Sequence, residues 1–406
     1  MSSNYDIIIA GSGIAGSTLA VALAQQGLRL AIIDPLLPTT QQPAANELAR
    51  LRVSAIYAGE LNALQQLGVW PGTNESDELS DGFQRMHIWE TENRAAITFD
   101  GATIGQSRLG AIIENQHLVG ALHKRLGSTA ATLINASIAH TSLPDLTSVT
   151  VTLNNGEKLT AQLLVAADGT DSGIRRQAQI DISRRDFHQQ AVIATVKPAR
   201  NHQHTAWQKF LPGGPIAFLP LADGYCSIVW STGIEHAGQL VNQSDADFRR
   251  ELGDVIDGKL GVITDSSARF SFPLFQQQAR RYVGNRIALI GDAAHRIHPL
   301  AGMGANLGIA DALTLAELLA DQTGDPGSPE LLNRYDRWRR SEVNAYMTAQ
   351  EMLRSCYRWS VRPATDVRGL GVSMLNKSVI VKPELLLRTI GLTGNLPRLM
   401  QPMTSA

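Results

Sequence analysis

The residues with the clearest chemical potential are three glycines and one acid near the N-terminus. Gly11, Gly13 and Gly16 lie in the sequence GSGIAG, and Asp34 follows 23 residues after Gly11. Glycines at this spacing let the backbone approach a pyrophosphate, and an acid about 20 residues later can accept hydrogen bonds from ribose hydroxyls. The four residues predict a site for the ADP half of a dinucleotide; the alternative is a purely structural turn.

This chemistry requires a strand before the glycines and a helix after them. The apolar run Tyr5–Ala10 (YDIIIA) is typical of a buried parallel strand, and a helical pattern covers Ile14–Gln26. A second buried strand, Leu28–Ile33, ends directly before the acid. Because the helix N-terminus supplies N–H groups and partial positive charge to phosphates, we expect Ile14 and Ala15 to bind the cofactor with the glycines.

A second glycine-rich region lies near residue 300. The apolar strand Arg286–Ile290 (RIALI) is followed by GDAAH and then by HPLAGMGANLG (His298–Gly308), which opens an amphipathic helix to about Ala320. Asp292 follows the strand, where ligands of open α/β sheets bind, and its carboxylate can accept hydrogen bonds from a ribityl chain. A helix N-cap is the alternative role for Asp292. We interpret the two regions as holding both ends of one FAD molecule.

A third motif supports a single bound dinucleotide. The strand Leu163–Ala167 precedes DGTDSGIRR (Asp168–Arg176), which resembles the DGxxSxxR pattern of class A flavin monooxygenases. A helix cap is the alternative role for Asp168. No second strand–GxGxxG–helix unit is present, so NAD(P)H or another electron donor would act as a co-substrate. Cys226 and Cys356 form no CxxC pair, which excludes the dithiol of the disulfide reductases.

Over most of its length, the chain resembles the ubiquinone-biosynthesis branch of the aromatic-ring hydroxylases. The segments LRVSAI (residues 51–56), GAIIEN (110–115) and GLTGNLPRL (391–399) carry this resemblance together with the three motifs. One departure is Met303, which stands where the family usually has a glutamine between two glycines. This difference removes one polar side chain from the flavin edge and bears on the substrate more than on flavin binding.

The resemblance assigns roles to individual residues. It implies that Arg52 and Asn115 approach the cofactor and that the turn at Gly302–Asn306 presents backbone groups to the isoalloxazine. Asn115 is also expected as the N-cap of a helix, Gln116–Leu126, and Arg52 could equally be a surface arginine. The motifs and the resemblance together predict a set of cofactor-binding residues: Gly11, Gly13, Ile14, Ala15, Gly16, Asp34, Arg52, Asn115, Asp168, Asp292, Gly302, Gly304, Ala305 and Asn306.

The activity that the resemblance implies is FAD-dependent hydroxylation of an aromatic ring, with a prenylated phenol of ubiquinone biosynthesis as substrate and O2 as co-substrate. In this class, a flavin C4a-hydroperoxide transfers oxygen to the ring, while the protein supplies orientation and a dry pocket. No residue is assigned as catalytic and no metal site is predicted; His295 and His298 are expected to make structural hydrogen bonds. The alternatives are another flavin oxidoreductase, such as a small-phenol hydroxylase or prenyl reductase, or a catalytically idle flavoprotein scaffold in a biosynthetic complex.

The predicted fold is α/β, with a Rossmann-like FAD-binding domain, an inserted antiparallel-sheet substrate domain and C-terminal helices, as in para-hydroxybenzoate hydroxylase. The segment Leu211–Leu221 either lies over the flavin or is a plain core strand. The FAD-binding domain is expected at 1–80, 110–182 and 276–328, the substrate domain at 81–109 and 183–275, and a helical, basic region at 329–406. Short alternating sequences predict five strands of the substrate sheet: Gln84–Glu90, Ala95–Phe99, Ala191–Val196, Pro215–Leu219 and Tyr225–Ser231.

The composition of the chain limits the classes of partner that it is expected to bind. The chain has 406 residues, 44% hydrophobic and 18% charged, with a net charge of −1 that argues against nucleic-acid binding. From Arg354 to Ala406 there are eight Lys or Arg and two acids, a net charge of +6, so the rest of the chain carries −7. This tail is either a helical layer with a solvated basic face or a surface that meets anionic lipid or a partner protein. Because we find no apolar run near the ~20 residues that span a bilayer, and no room for a signal peptide before the first strand, we expect a cytoplasmic protein, at most peripheral on the inner face of the membrane.

Overall fold

The structure is a computed structural model that describes residues 3–37, 52–70, 82–91, 95–142, 145, 147–322, 324–358 and 362–402. The strands in these ranges, in chain order, are β1 (Ser3–Ala10), β2 (Leu30–Ile33), β3 (Val53–Tyr57), β4 (Gly82–Phe83), β5 (Arg85–Glu90), β6 (Ala96–Asp100), β7 (Gly110–Glu114), β8 (Thr132–Ile134), β9 (Ile138–Thr141), β10 (Val149–Leu153), β11 (Lys158–Ala166), β12 (Ile182–Pro198), β13 (Thr205–Phe210), β14 (Ile216–Pro220), β15 (Cys226–Gly233), β16 (Ile263–Ser266), β17 (Phe270–Ala279), β18 (Val283–Gly284), β19 (Ile287–Leu289) and β20 (His295–Arg296). The α-helices are α1 (Ile14–Ala24), α2 (Ala58–Gln66), α3 (Asn115–Leu126), α4 (Gly173–Gln177), α5 (Ile234–Asn242), α6 (Asp245–Val255), α7 (Met303–Ala320), α8 (Pro329–Arg358), α9 (Ala364–Lys377) and α10 (Val381–Thr389).

A parallel sheet carries all the predicted nucleotide-binding strands. The parallel strands run in the order β19-β11-β1-β2-β8, with β18 and β10 added in antiparallel orientation. Ile7, Ile8 and Ile9 of β1 are completely buried, as expected of a parallel strand covered on both faces. The α/β class and the parallel order are confirmed, and the carboxyl ends of β1, β11 and β19 bring the three motif loops to one edge.

A second sheet contains all five strands predicted for the substrate side. Its order is β20-β17-β12-β15-β14-β13-β5-β6, with β16 beside β12. One part of the prediction is wrong, because β5 and β13 pair in parallel. The chain passes through the parallel sheet between these two strands, and such a long connection can return in either direction. The segment boundaries proposed from the sequence remain predictions.

The two faces of this second sheet have different partners. Residues such as Ile216, Phe218 and Trp230 form an apolar core with α5 and α6. The alternating residues, including Ala217 and Leu219, face a large cavity. The stretch 211–221 therefore contains a core strand, β14, whose other face lines the cavity. Its position over the flavin stays a prediction.

Helix α7 was expected to be amphipathic, and this expectation is wrong. Of all helices in the described ranges, α7 alone is long and apolar enough to span a membrane, with a mean hydropathy of 1.2, but 78% of it is buried inside the protein. It packs against α1, α8 and β3. Its apolar composition is explained by this central position, where neighbours cover it on nearly every side.

The C-terminal tail has an inner and an outer face. Leu386, Ile390 and Met400 are buried in the main core, and the Gly59 N–H of α2 donates to the Ile390 carbonyl at 2.9 Å. The tail is therefore a helical layer packed on the nucleotide-binding part. Its exposed surface is not purely basic, because large apolar side chains are exposed on it, two of which (Leu353 and Leu385) also line the cavity: Met352, Leu353, Val367, Leu370, Met374, Val379, Ile380, Val381 and Leu385. We call this set the C-terminal apolar surface.

Candidate functional site

The first glycine turn packs so closely that two of its positions exclude a side chain. Gly11 has a φ of +103°, and a Cβ on it would lie 2.3 Å from the Ala167 carbonyl oxygen. A Cβ on Gly16 would lie 2.1 Å from the Gly11 carbonyl oxygen. Gly13 is different, because a Cβ there would meet nothing within 4 Å. The first and third glycines are thus required by packing, while the second leaves space for a ligand.

Asp34 lies beside this turn, as the spacing predicts. Its carboxylate accepts hydrogen bonds from the backbone N–H groups of Ser12 at 2.6 Å and Leu36 at 2.8 Å. The backbone N–H of Asp34 in turn donates to Ile134 of β8. These contacts fix the acid at the ends of β1 and β2, where the adenosine ribose of a dinucleotide would lie.

The other two motif loops are joined to each other by a buried arginine. Arg175 donates to the carbonyl oxygens of Ala293 at 2.8 Å and Thr170 at 2.9 Å. The Thr170 hydroxyl donates to Asp292 at 3.1 Å. Asp292 lies in a short 3-10 turn, whose N-cap is Ile290. The cap interpretation of Asp292 is therefore wrong, and its carboxylate is positioned by the neighbouring loop.

Asp168 lies at the start of the same loop, before the helix that it was expected to cap. Its carboxylate accepts a hydrogen bond from the Ile174 N–H at 3.2 Å. The N-cap of α4 is Ser172, whose hydroxyl accepts from the Arg175 N–H. Asp168 thus supports the first turn of α4 beside the cap, and Gly169, not Asp168, lines the cavity.

The second glycine-rich turn opens α7. Gly302 adopts a left-handed φ of +62°, and a Cβ on it would lie 3.1 Å from the Ala55 side chain. Asn306 is completely buried; its amide donates to the Ala55 carbonyl at 2.7 Å and accepts from the Tyr57 N–H at 3.0 Å. The Asn306 side chain therefore binds the turn to β3, and a Cβ on Gly304 would meet nothing within 4 Å.

A cavity of about 1090 Å³ joins these loops. Five of the predicted cofactor residues do not line it: Gly11, Gly16, Asp34, Asp168 and Asn306. Nine do: Gly13, Ile14, Ala15, Arg52, Asn115, Asp292, Gly302, Gly304 and Ala305. Because those nine come from widely separated parts of the sequence, the fold brings the predicted site together in one place.

Two helix N-termini open into this cavity, and neither has a side-chain cap. The N-cap residues are Gly13 for α1 and Gly302 for α7. The first N–H groups of a helix lack partners within the helix and carry partial positive charge. The two N-cap residues are 289 residues apart in the sequence. The N-terminus of α1 suits a pyrophosphate, and that of α7 suits the electron-rich edge of an isoalloxazine ring. The residues present therefore fit FAD.

Asn115 and Arg52 lie at the same wall. Asn115 is the first residue of α3, whose N-cap is Glu114, so the prediction of Asn115 as N-cap is wrong. Its side-chain oxygen accepts from the Ser54 hydroxyl at 2.7 Å. Arg52 is exposed and also lines the cavity, so its two interpretations, a surface arginine and a cofactor neighbour, are compatible.

Behind the Asp292 turn lies a buried ionic network. Asp311 of α7 accepts hydrogen bonds from the Gly291 N–H at 2.9 Å, His295 Nε2 at 2.7 Å and Arg339 Nε at 2.7 Å. Burial raises the pKa of Asp311, but the charges and hydrogen bonds of His295 and Arg339 outweigh burial and hold that pKa below its ordinary value. The expectation that His295 has a structural role is supported, and the network holds the turn that carries Asp292.

His298 does not behave as expected. Neither ring nitrogen has a hydrogen-bond partner among the described residues, and the ring packs edge-on against Phe187 at 5.2 Å. Burial and the positive charge of Arg354 lower the pKa of His298 to about 3. The predicted structural hydrogen bond is therefore wrong for His298, which is a neutral, packed ring.

The far half of the cavity is walled by the second sheet and the C-terminal helices. Phe210 of β13 and Tyr357 of α8 stack with ring centroids 3.9 Å apart. Arg368 of α9 donates to the buried Glu90 of β5 at 2.6 Å. These contacts fix the tail over the open face of the sheet, so the tail forms part of the cavity wall.

Sequence reasoning missed several of these residues. Arg175 lies within the DGxxSxxR pattern, and Asp311 is one of two acids, with Glu317, in an apolar helix. Both residues are therefore visible in the sequence, but the sequence does not indicate which loop each charged side chain will bind. Arg339 and the stacked pair of Phe210 and Tyr357 had no local signal, because their contacts join distant segments.

The fold and the two-ended cavity define a flavoprotein of the FAD-binding type, and the comparisons agree. The family described as "FAD binding domain" matches residues 4–350. The chain is 32% identical to the mitochondrial ubiquinone biosynthesis monooxygenase COQ6 of Mus musculus, over 94% of this chain and 90% of that protein. It is 33% identical to the ubiquinone hydroxylase UbiL of Rhodospirillum rubrum (98% and 92% covered) and 31% identical to the 3-demethoxyubiquinol 3-hydroxylase of Escherichia coli (95% and 98%).

Solved structures show the same fold at lower sequence identity. The p-nitrophenol 4-monooxygenase PnpA of Pseudomonas putida superposes with a TM-score of 0.74 at 18% identity, covering 96% of this chain and 99% of that one. PqsL of Pseudomonas aeruginosa, a probable FAD-dependent monooxygenase, also gives 0.74, at 21% identity over 92% and 100% of the two chains. The chain belongs to the ubiquinone-biosynthesis family of FAD-dependent aromatic hydroxylases, within the class A flavin monooxygenases. FAD is its cofactor, and NAD(P)H is the electron donor typical of this class.

Proposed function

We propose that the protein hydroxylates the ring of a prenylated phenol, an intermediate of ubiquinone biosynthesis, at the junction of the two halves of the cavity. The observation that most directly supports this proposal is that one cavity extends from the turn at Gly302–Ala305 to helices α9 and α10. Its volume of about 1090 Å³ lies slightly above the usual range for ligand sites, roughly 300–1,000 Å³. A cavity of this extent suits a flavin ring and an apolar chain together, and exceeds the need of a small phenol.

The cofactor residues are part of the proposal. The N-terminus of α1 would bind the pyrophosphate, Asp34 the adenosine ribose and Asp292 the ribityl hydroxyls, with Arg52 and Asn115 alongside. When bound, FAD supplies the redox chemistry that activates O2 for insertion into the ring. The chain's own residues orient the two molecules and exclude water, and we assign none of them as a nucleophile.

The substrate half of the cavity has the lining that a prenyl chain requires. Apolar residues come both from the sheet and from the tail, which meet across the open sheet face. Those that line it include Ile88, Ile97, Phe99, Trp207, Phe210, Leu219, Val229, Leu353, Tyr357, Val372, Leu375 and Leu385. Burial of apolar surface, at roughly 25 cal/mol per Å², would bind the chain without requiring a specific polar contact.

The C-terminal apolar surface supports docking on a membrane that carries anionic lipid. Val379 and Ile380 are 85% and 78% exposed, and Arg362, Lys377 and Arg388 of the same C-terminal helices and their connections are exposed as well. Apolar residues would enter the headgroup boundary while each basic residue contributes about 1 kcal/mol near an anionic surface. Because α9 and α10 also wall the cavity, docking there would bring the cavity to a substrate dissolved in the bilayer.

The substrate is tested by the precursors that accumulate when the gene is deleted. We expect a prenylated phenol that lacks one ring hydroxyl to accumulate, and the wild-type gene to remove it. The Asp292→Ala gene should fail to restore the pathway, while a matched change of an exposed acid on α6, Asp254→Ala, should restore it. A deletion strain with normal ubiquinone and no precursor would refute the proposed substrate.

Membrane docking is tested with vesicles. Val379→Ser combined with Ile380→Ser should weaken sedimentation with anionic vesicles, and added salt should weaken wild-type binding because it screens the basic residues. Leu36→Ser is the control, since Leu36 is as exposed as Val379, at 85%, but lies near the N-terminus and outside the C-terminal apolar surface. Equal binding to neutral and anionic vesicles, or equal binding of both variants, would refute docking through this surface.

A further inference from the structure

A row of cationic side chains crosses the edge of the second sheet beside the flavin turn. Arg184 of β12 lies opposite Gln277 of β17, and Gln277 lies opposite Arg296 of β20. Directly opposed residues project to the same face of a sheet. The Gln277 amide donates to the Thr170 carbonyl at 2.9 Å, which places this face against the loop that holds Asp292.

Both guanidinium groups of the row pack on one aromatic ring. Arg184 Cζ lies 3.9 Å from the centroid of the Phe275 ring, and Arg296 Cζ lies 4.3 Å from it. Stacking fixes the two groups but uses none of their N–H donors. Within the described ranges, neither side chain makes a hydrogen bond or an ion pair, so their donors are available to an anion.

Arg296 is the member that connects this row to the cavity. It lines the cavity together with Arg52 and Asp292. Burial lowers the pKa of Arg296, and the like charges of Arg52 and Arg184 lower it further, against the opposing effects of Asp292 and Asp171. Three positive charges are thus held near one another at a place that an anionic ligand would neutralise.

The contacts proposed for FAD involve Arg52 but leave Arg184 and Arg296 unassigned. The pyrophosphate of FAD is assigned to the uncapped N-terminus of α1, and its ribityl chain to Asp292. The chain carries no second strand–GxGxxG–helix unit, so a second dinucleotide must be bound by side chains. A stacked arginine pair offers planar N–H donors of the geometry that phosphate oxygens accept.

We propose that Arg184 and Arg296, supported by Arg52, bind the pyrophosphate of NAD(P)H while it reduces the flavin. A hydride, with its two electrons, leaves the dihydronicotinamide for the flavin, and NAD(P)⁺ is released. This inference rests on the proposed function only for the identity of the electron donor.

The test is anaerobic reduction of the purified holoenzyme, followed by flavin absorbance at increasing NAD(P)H. Arg184→Gln and Arg296→Gln should each raise the apparent Kd for NAD(P)H about tenfold, the loss expected for one charge-assisted hydrogen bond. The limiting rate, the FAD content and reduction by dithionite should stay at wild-type values. Arg281→Gln, a change of an exposed arginine outside the row, should alter none of these quantities.

Salt provides a second readout. The apparent Kd of the wild type should rise with ionic strength more steeply than that of the double variant, which has lost two of the charges. Loss of FAD from either variant would overturn the inference, since the arginines would then belong to the flavin site. An unchanged Kd would also overturn it, as would a wild-type enzyme that NAD(P)H does not reduce. In each of these cases, ring hydroxylation after photochemical reduction would show that the proposed function stands.

Discussion

Replacing Asp311 with asparagine should strongly destabilise the protein. The carboxylate is completely buried, and its two oxygens accept three hydrogen bonds, from Gly291, His295 and Arg339. Asparagine keeps the shape but offers one acceptor oxygen and places N–H donors against another donor. Whichever way the amide turns, either the Gly291 N–H or the Arg339 guanidinium loses its partner.

The size of the effect follows from the buried charge. Arg339 is only 2% exposed, so its guanidinium would be left without a countercharge in the core. Breaking a buried pair in this way costs about 3–5 kcal/mol, a large fraction of the ~5–15 kcal/mol that holds a typical domain together. FAD binding should weaken as well, because the Gly291 N–H positions the turn that carries Asp292.

Urea unfolding of the purified variants, with and without added FAD, measures both effects. Asp321→Asn is the control, since Asp321 pairs with the exposed Arg398 and such pairs contribute at most about 1 kcal/mol. Adding Arg339→Met to Asp311→Asn should recover part of the loss by removing the unpaired charge. A free energy of unfolding within about 1 kcal/mol of wild type for Asp311→Asn would refute the reasoning.

Three further predictions concern the flavin site and the buried Glu60 of α2. Asp292→Ala should bind FAD about 1–3 kcal/mol more weakly, measured by flavin titration, whereas Asp254→Ala should bind it normally; equal affinities would contradict the ribityl assignment. Gly16→Ala should fail to yield folded protein because its Cβ would lie 2.1 Å from a backbone oxygen, while Gly13→Ala should fold, by circular dichroism, but retain less flavin; the opposite pattern would contradict the packing argument. Burial raises the pKa of Glu60 to about 8. The contribution of this carboxyl to the free energy of unfolding is therefore fully present below its unfolded pKa and is lost as the pH rises through about 8. Glu60→Gln should remove this decline in urea unfolding at different pH values, and parallel pH profiles for the two proteins would contradict it.

The flavin half of the site could be predicted from the sequence because its rules are local. Gly16 is required by a contact within one strand–turn–helix unit, and Asp34 follows at a distance set by one helix and one strand; only the packing of Gly11 against Ala167 involves a distant segment. Helix ends were less certain: one residue of difference at α3 changes Asn115 from a cap into the first helical residue. Short-range spacing therefore predicts the glycine and acid positions of the flavin site better than it predicts which residue caps a helix.

The substrate half could not be predicted in the same way because its walls come from distant segments. The parallel pairing of β5 and β13 depends on a connection that passes through the other sheet. The stacking of Phe210 on Tyr357 and the ion pair of Arg368 with Glu90 depend on how the tail folds back. Burial of His298 without a partner among the described residues also has no local signal, since its neighbour Phe187 lies more than 100 residues earlier.

The most direct test of the central claim is the origin of the oxygen in the product. The purified FAD-containing enzyme is supplied with NAD(P)H, a prenylated phenol and isotopically heavy O2, and the product is analysed by mass spectrometry. We predict a ring hydroxyl that carries one heavy oxygen atom from O2, formed in proportion to the NAD(P)H consumed. Oxygen derived from water, or NAD(P)H oxidation that yields only hydrogen peroxide and leaves the phenol unchanged, would contradict the account.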